Sequence, residues 1–338
     1  MDTRAVSIKD VADRAGVAVG TVSNVLNYPE RVSTGTLDRV HQAIAELGFV
    51  RNDAARQLRA GLSRAIGLIV LDVSNPFFSS LARSAEEAAA ESASTVVLGD
   101  SGHDSAREAR YIDVFEQQRV KGMLISPVGD ISERMESLRR HGIPVVLVDR
   151  VDPHKKTSSV SVDDVAGGYA AVKHLLDEGR RRIVFVGASP EIQQVADRLA
   201  GARKAMAERP EAELEIVEAE SMTVLSGRAA GELMAERPRA ELPDGIFCAN
   251  DLLAIGVMQA VLLMRGWRIP DDVALIGYDD IDFAQSAVVP LSTVRRPTSQ
   301  IGRTAIELLL ESIDGEDGEY RQIVFQPELI ARDSTGRA

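Results

Sequence analysis

From Ala65 onward the chain repeats one pattern, a short apolar run followed by a stretch of helical periodicity. The runs are Ile66–Leu71, Thr95–Leu98, Met123–Ile125, Val145–Val148, Ile183–Val186, Ile246–Cys248, Val273–Ile276 and Ile323–Phe325. Strands covered by helices on both faces need no polar side, so runs of this kind read as buried parallel strands. The stretches between them, among them Phe77–Glu91, Val165–Glu178, Asp251–Met264 and Thr298–Ile313, carry the helices that cross from one strand to the next. This rhythm builds doubly wound α/β sheets, and the number of strands fits two lobes better than one.

The first sixty residues lack that rhythm. Ser7 followed by Asp10 reads as a helix start, with Ile8, Val11, Ala12 and Ala15 at helical spacing until Gly16 ends the segment. After Gly16-Val17-Ala18, a second short helix places Val22, Val25 and Leu26 on one face and leaves Val19, Gly20, Thr21, Ser23 and Asn24 pointing elsewhere. A third helix starts at a Ser33 cap, carries Leu37, Val40, Ile44 and Leu47, and stops at Gly48. Three short helices with a tight turn between the first two form an all-α helix-turn-helix head. Arg51–Gly61, with an Asn cap, good helix formers and a glycine stop, links it to the body but is too short to be helical alone.

Charge divides the same way. The whole chain carries −12, yet residues 1–62 hold eight Lys/Arg against seven Asp/Glu, so the head is +1 and the remainder −13. An acidic body repels phosphates and leaves the head as the surface able to approach DNA. The single cysteine, Cys248, can make neither an intrachain disulfide nor a multi-Cys metal site, which fits a reducing compartment. No 18-residue apolar run occurs, and Asp2, Asp10 and Asp13 stand where a secretory leader would be basic and then apolar. A cytoplasmic protein with no membrane segment is therefore expected. No Gly-x-Gly-x-x-Gly follows a strand, no Gly-x-Ser-x-Gly elbow is present, and His41, His103, His141, His154 and His174 are dispersed. These absences leave enzymatic function unsupported, and no cofactor or metal is expected.

The stretch Ser7–Asn27, continued by Val32-Ser33, Ala43–Phe49 and Asn52–Leu58, resembles the N-terminal signature of the lactose-repressor (LacI/GalR) family of bacterial transcriptional regulators. The resemblance extends more loosely over nearly the whole chain. It implies a helix-turn-helix DNA-binding domain over 1–50, a hinge helix over 51–62, and an effector and dimerisation domain of the periplasmic-binding-protein type over 63–338. Lobe 1 is expected over about 63–162 and 294–322, and lobe 2 over about 163–293 and 323–338.

By that resemblance the second helix enters the major groove of a palindromic operator, with Val19, Gly20 and Asn24 as base readers. Asn24 can pair with adenine, Val19 can touch a thymine methyl, and Gly20 lets the helix sit close. Thr21, Ser23 and Asn27 suit phosphate oxygens, and Ser7 joins the same DNA-binding set. In the hinge, Asn52 caps, Ala55 faces the minor groove and Leu58 levers open the central base step, pairing with the hinge of a dimer mate.

The effector set follows the same logic. Asp72–Phe78 comes after the first strand, where open α/β sheets bind ligands. Asn75 offers donor and acceptor to hydroxyls, and Phe77 and Phe78 offer flat faces to a sugar's C–H face. Asp149 and Arg150, Arg198, Asn250 and Asp279 lie at strand-to-loop exits or near a helix start, and each matches a ligand position in the family's sugar binders. Two positions depart from the family pattern. Met222 stands where an aromatic is common, and Arg296 where a glutamine is common, so Arg296 points to an acidic sugar, a phosphate or, preferably, an ion pair. The implied protein is a homodimeric repressor of sugar-utilisation genes that leaves its operator when a sugar binds. A purine or phosphorylated co-repressor is the alternative, and a sugar-binding protein without DNA function the remote one.

Overall fold

The computed structural model describes residues 6–49, 63–238, 241–315 and 319–336. They fall into two compact units, within Met1–Leu62 and Ser63–Ala338. Asn52, Ala55, Leu58 and the expected hinge helix lie outside the described residues.

The first unit is the helical head. Helix α1 (Ile8–Ala15) opens on a reciprocal cap: Asp10 N donates to the Ser7 hydroxyl while Ser7 N donates to the Asp10 carboxylate at 2.8 Å. It closes at Gly16, whose φ of 65° is the left-handed conformation that glycine tolerates best. Helix α2 (Val19–Asn27) follows after two residues, and α3 (Thr34–Leu47) packs over both. Ser33 stands at the start of α3, but its hydroxyl bonds the Thr36 hydroxyl at 3.0 Å and not a backbone N–H, so the expected side-chain cap is absent. Val11, Ala12, Ala15, Val22, Val25, Val40 and Ala43 form the core, one apolar stripe from each helix.

The second unit holds the α/β body. Its first sheet is six-stranded and parallel, built from β1 (Ala65–Val70), β2 (Thr95–Asp100), β3 (Gly122–Ile125), β4 (Val145–Val148), β5 (Ser158–Val162) and β11 (Gln322–Phe325), in the order β11-β5-β4-β3-β1-β2. Its second is four-stranded and parallel, from β6 (Arg182–Gly187), β7 (Glu213–Glu218), β8 (Gly245–Cys248) and β9 (Ala274–Ile276), in the order β7-β6-β8-β9. An antiparallel ribbon of β10 (Thr293–Arg295) and β12 (Glu328–Ile330) completes the body. The chain passes between the lobes three times, after β5, after β10 and after β11.

The pairing of β11 with β5, Ile323 opposite Val160, carries lobe 1 through Phe325 and corrects the boundary expected after residue 322. Strand β5 escaped the apolar-run reading because it is Ser-Ser-Val-Ser-Val, buried throughout, with Ser159 donating to Gln322 and Ser158 accepting from Arg321 N. No described helix is long and apolar enough to cross a membrane.

Two later helices position the site. In lobe 2, α7 (Asp164–Asp177) and α8 (Gln193–Met206) cross where Gly168 meets Gly201; a Cβ on Gly168 would lie 2.0 Å from the Arg198 carbonyl oxygen. That close approach brings Arg198 of α8 against Asp164 at the start of α7. Helix α4 (Pro76–Glu91) in lobe 1 begins at Asn75, whose side chain accepts from Phe77 N at 3.0 Å.

Candidate functional site

The head and the body each bring part of the expected set together. On the head, Val22 and Val25 of α2 point into the core, which turns Val19, Gly20, Asn24 and Asn27 outward. Val19 is 40% exposed, an unusual state for a valine in so small a domain, so its side chain is not part of the core. A Cβ on Gly20 would meet nothing within 4 Å, so nothing inside the head requires glycine there. Thr21 and Ser23 are half-buried, and Asn27 Nδ2 donates to the Ser23 carbonyl at 2.8 Å. Ser7 is engaged in its capping box, where its hydroxyl donates to Asp10 at 2.6 Å.

In the body, strand ends from both lobes surround a pocket lined by Asn75, Phe77, Phe78, Asp149, Arg198, Met222, Asp279 and Arg296. Asp149 follows β4 and Asp279 follows the β9 turn, each at a strand's carboxyl end, where such sheets bind ligands. Both hold left-handed backbone, with φ of 61° and 106°. Non-glycine residues seldom adopt it, and such strain concentrates where a side chain must be aimed.

These side chains are bonded mainly to one another. Arg296 donates to Asp149 and lies 3.4 Å from Asp279, bridging a lobe 1 carboxylate to a lobe 2 carboxylate. Its guanidinium carbon sits 3.6 Å from the centroid of the Phe77 ring. Arg198 donates to Asp164 at 2.9 Å and to the Ala249 carbonyl at 2.6 Å, and stacks on Tyr278 at 3.8 Å. Gln194 donates to Asp149 at 3.0 Å.

Burial sets the electrostatics. It pushes the Asp279 carboxyl up to about 7, a rise that Asp164 reinforces and that Arg198 and Asn75 oppose. Burial pulls Arg296 down to about 9, which leaves it cationic at neutral pH. Arg198 meets the same penalty, yet Asp164 and Asp279 overcome it and hold it above the usual guanidinium range. Asp149 and Asp164 offset Arg198 and Arg296, and Asp279 ionises only as pH rises through about 7, so at neutral pH the cleft has no cation left over for an anion.

Two expected residues lie elsewhere. Asn250 is fully buried beneath the cavity: its oxygen caps the helix α10 (Asp251–Arg265) through Leu253 N, and its amide donates to the Met222 carbonyl at 2.9 Å. Arg150 lines a neighbouring cavity with Gln193, Asp164 and Asp197. Asn75 is engaged at both ends, its oxygen as a helix cap and its amide on Asp279. The cavity wall adds His103, Asp72, Ile192, Val195 and Gln194, which the sequence reading did not place there. Gln194 sits in the first turn of a helix that follows a strand, the position where this fold directs side chains at ligands, and that was the signal available. His103 lies on an exposed loop that carries no motif. Among the described residues, no three His, Cys, Asp or Glu are grouped to hold a metal.

Comparison with known proteins gives two family matches: residues 7–52 match bacterial regulatory proteins of the lacI family, and residues 172–335 match a periplasmic binding protein-like domain. The HTH-type transcriptional repressor PurR of Vibrio campbellii is 33% identical over 332 residues, covering 97% of this chain and 98% of that protein. The transcriptional regulator CelR in complex with cellobiose is 29% identical, with a TM-score of 0.70 over 97% of this chain and 99% of that one. A lac repressor dimer bound to operator and the anti-inducer ONPF is 25% identical, with a TM-score of 0.82 over 99% of this chain and 100% of that one.

Proposed function

The chain belongs to the lacI family of bacterial regulatory proteins, DNA-binding transcriptional repressors, and we propose that a neutral sugar held between its lobes releases it from a palindromic operator. The observation that carries this reading is the cleft itself. Carboxylates, guanidinium groups and amides alternate around one aromatic face, the mixture that vicinal hydroxyls need because each both donates and accepts. Both of its arginines are already paired with carboxylates, which argues against a phosphorylated effector. CelR, a relative of similar architecture, holds cellobiose.

A second reading has its own support. The Arg296 guanidinium is planar, sits over Phe77 and donates to carboxylates, and a purine base could present a flat face and N–H edge in the same place.

On the DNA side, Val19, Gly20 and Asn24 read base edges, and Thr21, Ser23 and Asn27 meet the backbone. Leu58 and Ala55 of the hinge act in the minor groove, with Asn52 as cap. Such a reader needs a two-fold partner. Apolar side chains exposed in both lobes supply a dimer face: Leu225, Leu263 (76% exposed), Phe283 and Val288 (87%) in lobe 2, and Val97 and Leu98 on the edge strand β2 in lobe 1. Ile255, the residue singled out for this role in the sequence, is half-buried and packs against the lobe 2 core. The lac repressor relative is a dimer on its operator.

A thermal-shift panel of D-ribose, D-glucose, D-galactose, cellobiose, adenine and hypoxanthine at about 10 mM identifies the class, because a ligand of the folded state alone raises stability by mass action. Stabilisation by a sugar and not by the bases supports the reading. The reverse result replaces it with the purine reading.

A further inference from the structure

Arg296 is placed as a ligand would be. It stands between β10 and the helix Thr298–Ile313, at one of the passages between lobes, and its side chain lines the cleft and spans it from Asp149 to Asp279. The cavity left beside it is about 40 Å³, room for a few waters and not for a ring. The guanidinium covers the Phe77 face and reaches one carboxylate in each lobe. Its Nε is buried with no hydrogen-bond partner, so the arrangement satisfies this cation incompletely.

We propose that Arg296 is the resident occupant of the effector site, and that an effector binds by exchanging with it. The proposal rests on the cleft being the effector site. The contacts to be replaced define the incoming molecule: one flat apolar face for Phe77, and two donors on one edge for Asp149 and Asp279. An uncharged ring with adjacent hydroxyl or N–H donors supplies all three. An anion supplies neither donor, and it would meet the Asp149 carboxylate, whose counter-charge it had just expelled. Arg296 therefore sets the effector class and raises the concentration needed to fill the cleft, since only the fraction of molecules with Arg296 withdrawn can bind.

The test uses ethylguanidinium, the detached head group of arginine. In full-length Arg296→Ala, about 10 mM ethylguanidinium chloride should raise the melting temperature by about 2 °C or more over the same concentration of sodium chloride. Wild type should show no such rise, because its own guanidinium holds the place. Arg296→Ala/Asp149→Asn should lose at least half of the gain. No gain in Arg296→Ala, or an equal gain in wild type, overturns the proposal. Should Arg296→Ala fail to fold, Arg296→Gln retains a polar side chain and takes the same titration under the same criteria. Any sugar or base from the panel that stabilises wild type should reach half-effect in the variant at a concentration about fivefold lower or less. An unchanged or higher midpoint counts against exchange. If ethylguanidinium restores stability while no panel member stabilises either protein, the resident occupant stands and the effector reading of the cleft falls.

Discussion

On the head, Val19, Gly20 and Asn24 stand exposed on α2, whereas in the cleft Asp149, Arg198, Asp279 and Arg296 are buried and bonded to each other. The two regions therefore bind in different ways. A partner of the head adds contacts to side chains that were solvated, and its loss leaves the fold intact. A partner of the cleft exchanges contacts already made, so cleft residues serve stability and recognition together. Replacing a residue should reveal which regime it belongs to.

The largest separation is expected at Arg198. Replacing it with alanine leaves Asp164 and Asp279 buried with one cation fewer, and should destabilise the body by about 3–5 kcal/mol while abolishing the response to effector. Denaturant melts beside operator titrations check it. A variant as stable as wild type would mean that the cleft resembles the head after all.

Asn24→Ala is the counterpart on the head. Operator binding should weaken by about 1–3 kcal/mol, with the loss confined to one base-pair position, and the melting curve should not move. Gly20→Ala should split the two properties more finely. Alanine is the better helix former and meets no neighbour there, so the head should gain about 0.5–1 kcal/mol while operator affinity falls, because the added methyl keeps the helix from the groove. Improved stability with unchanged operator affinity would remove Gly20 from the reading face.

A further effect is one of pH. Asp279 is held near 7 in the folded protein and returns to the ordinary carboxylate range when unfolded, so between about 4 and 7 the native state binds the extra proton. The stability this contributes is full below that window and is lost as pH rises through about 7. Unfolding of wild type compared with Asp279→Asn at pH 5.5 and 8.0 should therefore favour wild type more at the lower pH.

How much of this was readable in the sequence also differs by region. The α/β rhythm marked the strands that are apolar throughout, such as Ile66–Leu71 and Val145–Val148, because burial on both faces leaves a continuous signal. It passed over Ser158–Val162, whose serine hydroxyls are partly satisfied inside the sheet. It also passed over Glu213–Glu218, an edge strand whose alternating glutamates face solvent. The head was readable in detail because its caps and core spacing are local. The cleft was readable only residue by residue through family likeness, since no local pattern says that Asp149, Asp279 and Arg296 meet. The same likeness adds Asn250 and Arg150 to the set, and the structure shows the first capping a helix and the second lining the neighbouring pocket.

The central claim is that the cleft and the DNA-reading head are coupled in one regulator. The direct measurement is a titration of a fluorescent operator, selected from random palindromes, with and without the sugar that stabilises the protein, together with the converse titration of that sugar with and without operator. Sugar should weaken operator binding through about 1–3 kcal/mol of coupling, and operator should weaken sugar binding by the same factor, because coupling is reciprocal. An operator affinity that is the same whether the cleft is filled or empty would contradict the account.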